Sequence, residues 1–167
     1  MKADISVAVL FLFILGCNPQ QGGQLTEQEK NQVKSEVKVV CDSITAKFER
    51  LDGEGAMQYY SDSPDWLCCF ADGSRLDFQA FKKGESDLKS SITSWKWTTT
   101  SQDFIFLAKD IVLCAWDGKD DAILKSGDKI THDPHAYTMI FRNIAGQWKV
   151  IYFHDSGIPV TQKAATK

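Results

Sequence analysis

The stretch that decides the fold lies near the end of the chain and reads Gly146-Gln147-Trp148-Lys149-Val150-Ile151-Tyr152-Phe153-His154-Asp155-Ser156-Gly157-Ile158-Pro159. Aromatic and β-branched residues dominate it, which predicts a strand from Gln147 to Asp155. A second apolar run, from Ile130 to Arg142, predicts another strand, and Asn143-Ile144-Ala145-Gly146 predicts a four-residue turn between the two. We therefore expect a long antiparallel hairpin in this part of the chain.

Two more strands are predicted before the hairpin. They cover Trp95–Leu107 and Ile111–Trp116, and the polar run Gly118–Asp128 predicts a loop after them. Helices come earlier still. Thr26 and Glu29 form a capping-box signature that predicts the start of a long helix. Its apolar stripe consists of Val33, Val37, Val40, Ile44, Phe48 and Leu51.

Shorter elements fill the middle of the chain. The pattern predicts a short helix at Ala56–Tyr60, a short strand at Trp66–Phe70 and a third helix that begins at Asp77. Helices at one end of the chain and long strands at the other are typical of the α+β class. The sequence therefore predicts three N-terminal helices packed on a mainly antiparallel sheet.

Composition bounds the class of protein. The chain has 167 residues, of which 43% are hydrophobic, and this predicts one globular domain with a sizeable core. Nineteen basic residues against 22 acidic residues give a formal net charge of −3. Because no strongly basic stretch stands out, we expect no nucleic-acid partner.

The first residues resemble an export signal. Lys2 provides a positive start and Ile5–Leu15 is an apolar run too short to span a bilayer, which is typical of a secretory signal peptide. The run ends in Leu15-Gly16-Cys17, a pattern that resembles a bacterial lipobox. We expect residues 1–16 to be a signal peptide, Cys17 to be lipidated at the start of a tether that ends at residue 25, and the protein to be anchored in the bacterial cell envelope. A plain signal peptide that happens to contain a cysteine is the alternative.

Four cysteines remain after Cys17. They are Cys41, Cys68, Cys69 and Cys114, and they allow three pairings of two disulfides. Cys68 and Cys69 are neighbours in a predicted strand and therefore point to opposite faces. We expect buried free thiols, although an exported protein also permits disulfides.

The order of elements resembles the nuclear transport factor 2-like superfamily, which includes the SnoaL-like proteins and ketosteroid isomerase. The segment Gly146–Pro159 is also similar to the last strand of the association domain of calcium/calmodulin-dependent protein kinase. The resemblance covers 26–159 and leaves 160–167 as a flexible tail. It implies a cone in which a curved sheet wraps the first helix, a pocket at the wide end and frequent homodimers. Where the kinase domain has an arginine that points into its cavity, this chain has Asp155, so we expect anionic ligands to bind poorly.

Pairing in the hairpin decides which face each side chain occupies. If Arg142 lies opposite Gln147, one face carries a row of large apolar residues that the helices do not cover. We expect this face to form a homodimer interface. Its residues are Tyr137, Met139, Phe141, Trp148 and Tyr152. The same pairing places His135 opposite His154 on this outer face.

The opposite face and nearby aromatic residues supply the candidate site. The predicted ligand pocket consists of Tyr59, Trp66, Trp97, Thr138, Phe153 and Asp155. Two functions remain open. The first is a lipid-anchored binding or assembly module that holds a small apolar ligand in its cone. The second is a SnoaL-like or ketosteroid isomerase-like enzyme, an isomerase, cyclase or hydrolase, that uses Asp155 as general base. No cofactor and no metal site are predicted.

Overall fold

The computed structural model describes residues 25–164, so the predicted signal peptide, Cys17 and most of the tether lie outside the described residues. The chain forms helices and strands in the following order: α1 (Glu27–Glu49), α2 (Gly53–Ala56), a 3₁₀ turn (Met57–Tyr59), β1 (Leu67–Cys69), β2 (Arg75–Leu76), α3 (Phe78–Ser86), α4 (Leu88–Ser91), β3 (Ile92–Ala108), β4 (Ile111–Leu124), β5 (Lys129–Ile144), β6 (Gln147–Asp155) and β7 (Pro159–Gln162). In the described part of the chain, no helix is both long enough and apolar enough to cross a bilayer.

The long helix begins where its capping signature predicts. The Thr26 side chain accepts a hydrogen bond from the backbone N–H of Glu29, and the Glu29 carboxylate accepts one from the backbone N–H of Thr26 at 2.7 Å. These bonds satisfy donors that the first turn of a helix otherwise leaves free. Further along, α1 buries one face against the sheet through Val37, Cys41 and Ile44.

The strands form one curved, mainly antiparallel sheet of seven strands. Its order is β2-β1-β6-β5-β4-β3, and β7 pairs with the first residues of β5. The one parallel pairing between named strands in the described residues joins β1 to β6. The predicted α+β cone, with helices packed against a curved open sheet, is confirmed.

Two segments predicted to be irregular are strands. The expected loop Gly118–Asp128 continues β4 as far as Leu124, and the turn begins only after that residue. Polar residues there suggest a loop, but Asp120 is 4% exposed and faces the interior. The expected flexible tail contributes Val160, Thr161 and Gln162 to β7, which pairs with Ile130 and its neighbours in β5.

The hairpin of β5 and β6 differs from the predicted one in its turn and in a bulge. Ile144 pairs with Gln147, so the turn is the two-residue pair Ala145 and Gly146, with φ of 51° and 84°. Positive φ at both positions matches the right-handed twist of the flanking strands. The shorter turn moves each pairing by two residues, which leaves the faces unchanged. A β-bulge between the pairs of Ile140 and Phe141 then moves the pairing by one residue, which exchanges the faces beyond it.

The bulge overturns most of the predicted dimer face. Met139, Phe141 and Trp148 are 2%, 0% and 6% exposed and belong to the core, and Tyr137 packs against that core. Only Tyr152 among the five residues remains on the outer face, where it pairs with Ile140. The prediction put Asp155 inside the cone, and strict alternation then required Tyr137 to lie outside. The bulge removes this requirement, because it pairs Tyr137 with Asp155 on the same inner face.

The narrow end of the cone is closely packed. Val37, Cys41, Val112, Cys114 and Phe141 are all fully buried there. The four cysteines of the described part of the chain are free thiols, with Cys69 partly exposed. A hydrogen bond with Cys114, together with burial, holds the pKa of Cys41 well above its usual range.

Candidate functional site

A cavity of about 270 Å³ occupies the wide end of the cone. Its walls come from the last turns of α1, from α3 and from the inner faces of β3 to β6. Aromatic rings form most of the surface. Trp97 stacks on Tyr137 with ring centroids 4.8 Å apart, and Tyr137 in turn contacts Phe153 at 5.2 Å. The cavity is therefore an aromatic space suited to a small ligand with flat or apolar parts.

One wall of the cavity carries a buried histidine between two carboxylates. His135 is 2% exposed, its Nδ1 lies 2.7 Å from Asp120 Oδ1, and its Nε2 lies 2.8 Å from Asp155 Oδ1. Strand pairing positions these groups, because β5 lies between β4 and β6 in the sheet. Gly157 has a part in this arrangement. A Cβ at this glycine would lie 2.6 Å from the His135 ring, and its N–H donates to Asp155 Oδ1.

Asp120 is held by three donors. His132 Nδ1 lies 2.9 Å from the same oxygen that His135 contacts, and Trp95 Nε1 donates to the other oxygen at 2.7 Å. This carboxylate therefore has both oxygens engaged. Asp155 differs, because only its Oδ1 has hydrogen-bond partners among the described residues, and its side chain is 24% exposed.

The electrostatics follow from these contacts. Burial opposes ionisation of Asp120, but hydrogen bonds from His132 and His135 outweigh it, and the pKa of Asp120 falls to about 2. Burial also disfavours a charged His135, but hydrogen bonds to Asp120 and Asp155 and their negative charges raise its pKa to about 9. At neutral pH the wall therefore carries an imidazolium between two carboxylates.

Three further polar groups face the cavity. Burial, and then the charge of Asp155, raise the pKa of Glu85 to about 7. Burial raises the pKa of Tyr60 and Tyr137 well above the ordinary value, so both phenols keep their protons. In the described part of the chain, no protein group forms a hydrogen bond with the Glu85 carboxyl group or with either tyrosine hydroxyl. All three groups remain available to a bound molecule.

The Asp120 cluster also offers ligand atoms to a metal. One atom each from Asp120, His132 and His135 lies within 4.8 Å of the others, and two imidazoles with a carboxylate suit divalent transition metals. In the structure these atoms instead satisfy one another by hydrogen bonds. The sequence pattern does not predict this group, because it indicates a loop at Asp120.

Half of the predicted pocket residues line the cavity. Trp97, Phe153 and Asp155 do so. Tyr59 instead borders a separate groove beside α1, and Trp66 lies in the core against Phe78 and Phe81. Thr138 pairs with His154 and does not border the cavity, because alternation along β5 turns it outward once its neighbours face inward. His135, which was predicted to lie on the outer face of the sheet, lies inside the cone and lines the cavity.

Three residues of the site were not predicted from the sequence, namely Glu85, Asp120 and His132. Glu85 lies seven residues after Phe78 and four residues after Phe81, so it falls within the apolar stripe of the predicted helix. A carboxyl group on a buried helix face is the signal that could have found it. The pair His132 and His135 was visible as a spacing of three residues. In a regular strand such a spacing puts side chains on opposite faces. Here the register shifts between the pairs Gly118–His135 and Asp120–His132, and both rings reach the carboxylate of Asp120.

Comparison with known proteins shows the fold. No family model matches the chain, and no curated protein matches it. A solved structure provisionally assigned as a scytalone dehydratase from Novosphingobium aromaticivorans has a TM-score of 0.73 and 9% identity, over 85% of this chain and 94% of that one. A nuclear transport factor 2-like superfamily protein from Salmonella enterica has a TM-score of 0.68 and 12% identity, over 83% and 96% of the two chains.

The predicted similarity to a kinase association domain is also found in structure. A protein provisionally assigned as a calcium/calmodulin-dependent protein kinase II association domain from Xanthomonas campestris has a TM-score of 0.61 and 17% identity, over 74% of this chain and 86% of that one. At these identities the comparisons define the fold, and the chain has the nuclear transport factor 2-like fold.

Proposed function

We propose that this protein is an enzyme that catalyses proton transfer to and from carbon in a small, largely apolar substrate, as in an isomerisation or an elimination. The observation that carries the proposal is the set of polar groups on the wall of the aromatic cavity. Asp155 presents an oxygen without a protein partner among the described residues, and its other oxygen is hydrogen-bonded to the buried His135. Tyr60 and Tyr137 line the same cavity, and Tyr137 pairs with Asp155 across β5 and β6. A fold that served packing alone would fill this space with apolar side chains.

Each group has a role that its surroundings support. Asp155 Oδ2 is the base that accepts a proton from a carbon next to a carbonyl group. The His135 imidazolium hydrogen-bonds to the other oxygen of Asp155 and fixes its orientation. Tyr60 and Tyr137 keep their protons and can donate to the oxyanion that develops on the substrate. The aromatic walls lower the local dielectric around these groups, which strengthens their interactions with a bound substrate.

The fold comparisons agree with this class of reaction. The scytalone dehydratase assignment names an enzyme that removes water, and removal of water from a carbon framework includes loss of a proton from carbon. Identity of 9% transfers no residue from that protein. The roles of Asp155, His135 and the two tyrosines therefore rest on the geometry of this chain.

Deuterium exchange tests the proposal without a known substrate. The purified protein is incubated in D₂O with a panel of cyclic and aryl ketones, and loss of the α-proton signal is followed by NMR. We expect exchange above the buffer rate for at least one ketone, and a loss of about 10²-fold or more in Asp155→Asn. Asp103→Asn, an exposed change of the same kind on β3, is the matched control. Exchange that is equal in both variants contradicts the role of Asp155.

The alternative is a binding module without catalysis. It is favoured by the aromatic walls and by the mutual pairing of Asp120, His135 and Asp155, which leaves few polar groups free. If the protein is a binding module, a ketone binds but its α-proton does not exchange above the buffer rate. Asp155→Asn then changes neither the binding of the ketone nor the exchange rate.

Anchoring to a membrane through lipidated Cys17 is part of the proposal, because the apolar run ends at Leu15-Gly16-Cys17. Cys17→Ser is expected to move the protein from the membrane fraction to the soluble fraction of its host. A protein that stays with the membrane in this variant has no lipid anchor at this cysteine.

A homodimer also remains a proposal, on a corrected surface. The outer face of the sheet carries an apolar row of Ile105, Leu113, Ile140 and Tyr152, which are paired in register across β3 to β6. Tyr152→Glu is expected to change a dimer to a monomer in sedimentation equilibrium. An unchanged protein that sediments as a monomer at tens of micromolar excludes the dimer.

A further inference from the structure

We propose that the ligand of this cavity is a compact organic cation, a substituted ammonium group attached to an apolar body. This proposal rests on the proposed function, because it names the substrate class of the same site. A binding protein that uses this cavity would have the same ligand class. It is drawn from the charge of the cavity wall and from the side chains around Glu85.

The charge of the wall is unbalanced. Three carboxyl groups border the cavity, those of Glu85, Asp120 and Asp155, and among the described residues that line it there is no lysine and no arginine. His135 makes ion pairs with both aspartates. Glu85 makes no ion pair within the described residues. The cavity therefore has a carboxyl group for which the described part of the chain supplies no cation.

Aromatic rings line the cavity that Glu85 borders. Tyr60 and Tyr137 belong to the same wall lining as Glu85. Tyr60 also contacts Phe81 at 5.3 Å between ring centroids, and Tyr137 stacks on Trp97. The faces of such rings attract a cation, and most strongly where water is excluded.

The two features together select the ligand. A carboxylate ligand would meet Glu85 and Asp155 without a basic residue to receive it. A neutral apolar ligand would fit the rings but would give Glu85 no partner, whereas a cation would pair with its ionised form. An alkylated ammonium group satisfies both, because its methyl groups pack on the rings while its charge pairs with the carboxylate. The volume of about 270 Å³ lies just below the range for drug-sized ligands, which restricts the ligand to a small molecule.

A pair of isosteric probes tests the proposal on the unmodified protein. Phenyltrimethylammonium and tert-butylbenzene have the same shape and differ in charge, and benzoate supplies the opposite charge. Binding of each is measured by quenching of tryptophan emission, since Trp95, Trp97 and Trp116 line the cavity. We expect the cation to bind about tenfold more tightly than tert-butylbenzene, a ratio within the range of a desolvated cation–π contact. We expect benzoate to bind more weakly than either.

A matched pair of variants locates the effect. Glu85→Gln keeps the shape of the side chain and is expected to weaken binding of the cation about five- to tenfold while changing tert-butylbenzene by less than about twofold. Glu54→Gln, an exposed change on α2, is expected to alter neither. Equal or tighter binding of tert-butylbenzene by the unmodified protein overturns the proposal, and so does the absence of cation binding at millimolar concentration.

The outcome separates the cation preference from the proposed reaction. If the cation preference fails but Asp155→Asn still abolishes exchange of neutral ketones, the enzyme stands and its substrate class is wrong. If the cation binds and no ketone exchanges its α-proton, the cavity is a binding site and the catalytic proposal is wrong.

Discussion

The two ends of the cone use the same strands in different ways. At the narrow end the inner residues of β4, β5 and β6, such as Val112, Phe141 and Val150, are fully buried against α1. At the wide end the inner residues of these strands include Asp120, His135 and Asp155, which surround a cavity. Both ends belong to one continuous sheet, so side-chain type separates a packed core from a site with polar groups. This difference predicts stability effects at the narrow end and functional effects at the wide end.

The largest expected loss of stability is at the narrow end. Phe141→Ala removes a ring that is 0% exposed and leaves a void that close-packed neighbours cannot fill. We expect the free energy of unfolding to fall by about 3–5 kcal/mol, measured by urea unfolding with tryptophan emission. Val39→Ala, on the exposed side of α1 where Val39 is 60% exposed, is the control and should cost less than about 1 kcal/mol. Similar losses in both variants would mean that the narrow end is not the main core.

The next effect separates the buried ion pairs from simple packing. His135→Ala removes the ion-pair partner of Asp120 and Asp155. The negative charge of Asp120, which is 4% exposed, then loses a buried cation. We expect a loss of about 3 kcal/mol at pH 7. His154→Ala changes a histidine on the other face of the sheet and should cost less than about 0.5 kcal/mol. If the two variants unfold at the same urea concentration, the ion pairs at the wide end contribute no net stability.

A smaller effect depends on pH. Glu85 has a pKa raised from 4.5 to about 7 in the folded protein, so the folded state holds a proton that the unfolded state has lost between these values. The stability from this group is therefore present below pH 4.5 and is lost as the pH rises toward 7. Glu85→Gln removes the dependence. We expect the difference in free energy of unfolding between the variant and the unmodified protein to shift by up to ~2 kcal/mol in favour of the variant from pH 5 to pH 8. Urea unfolding at the two pH values measures it. A constant difference across this range would show that Glu85 is not held in its protonated form.

The sequence predicts the architecture better than the site, for a physical reason. Capping at Thr26 and the apolar stripe of α1 are local signals. The cap is confirmed, and so is the stripe as far as Phe48, because α1 ends at Glu49, before Leu51. The face that each strand residue occupies depends also on the bulge beside Ile140, which leaves no clear local pattern. Asp155 is predicted on the correct face, and strict alternation from it puts Tyr137 and His135 outside the cone. One extra residue at the bulge was therefore enough to bring both of them into the cavity.

The smallest expected effect on stability concerns the tyrosine hydroxyls. Neither the Tyr60 nor the Tyr137 hydroxyl has a hydrogen-bond partner among the described residues, so replacing either residue by phenylalanine removes no hydrogen bond within them. We expect Tyr137→Phe to change the free energy of unfolding by no more than about 0.5 kcal/mol, measured by urea unfolding.

The same change should act strongly on function. A donor that stabilises a developing oxyanion contributes about 10²–10³-fold to a rate. We therefore expect Tyr60→Phe or Tyr137→Phe to slow α-proton exchange by about this factor while binding of the ketone changes little. Tyr59→Phe, at the separate groove beside α1, should leave exchange unchanged. If Tyr60→Phe and Tyr137→Phe both keep full exchange, neither hydroxyl touches the reacting oxygen, and the polar end of the cavity acts through Asp155 alone.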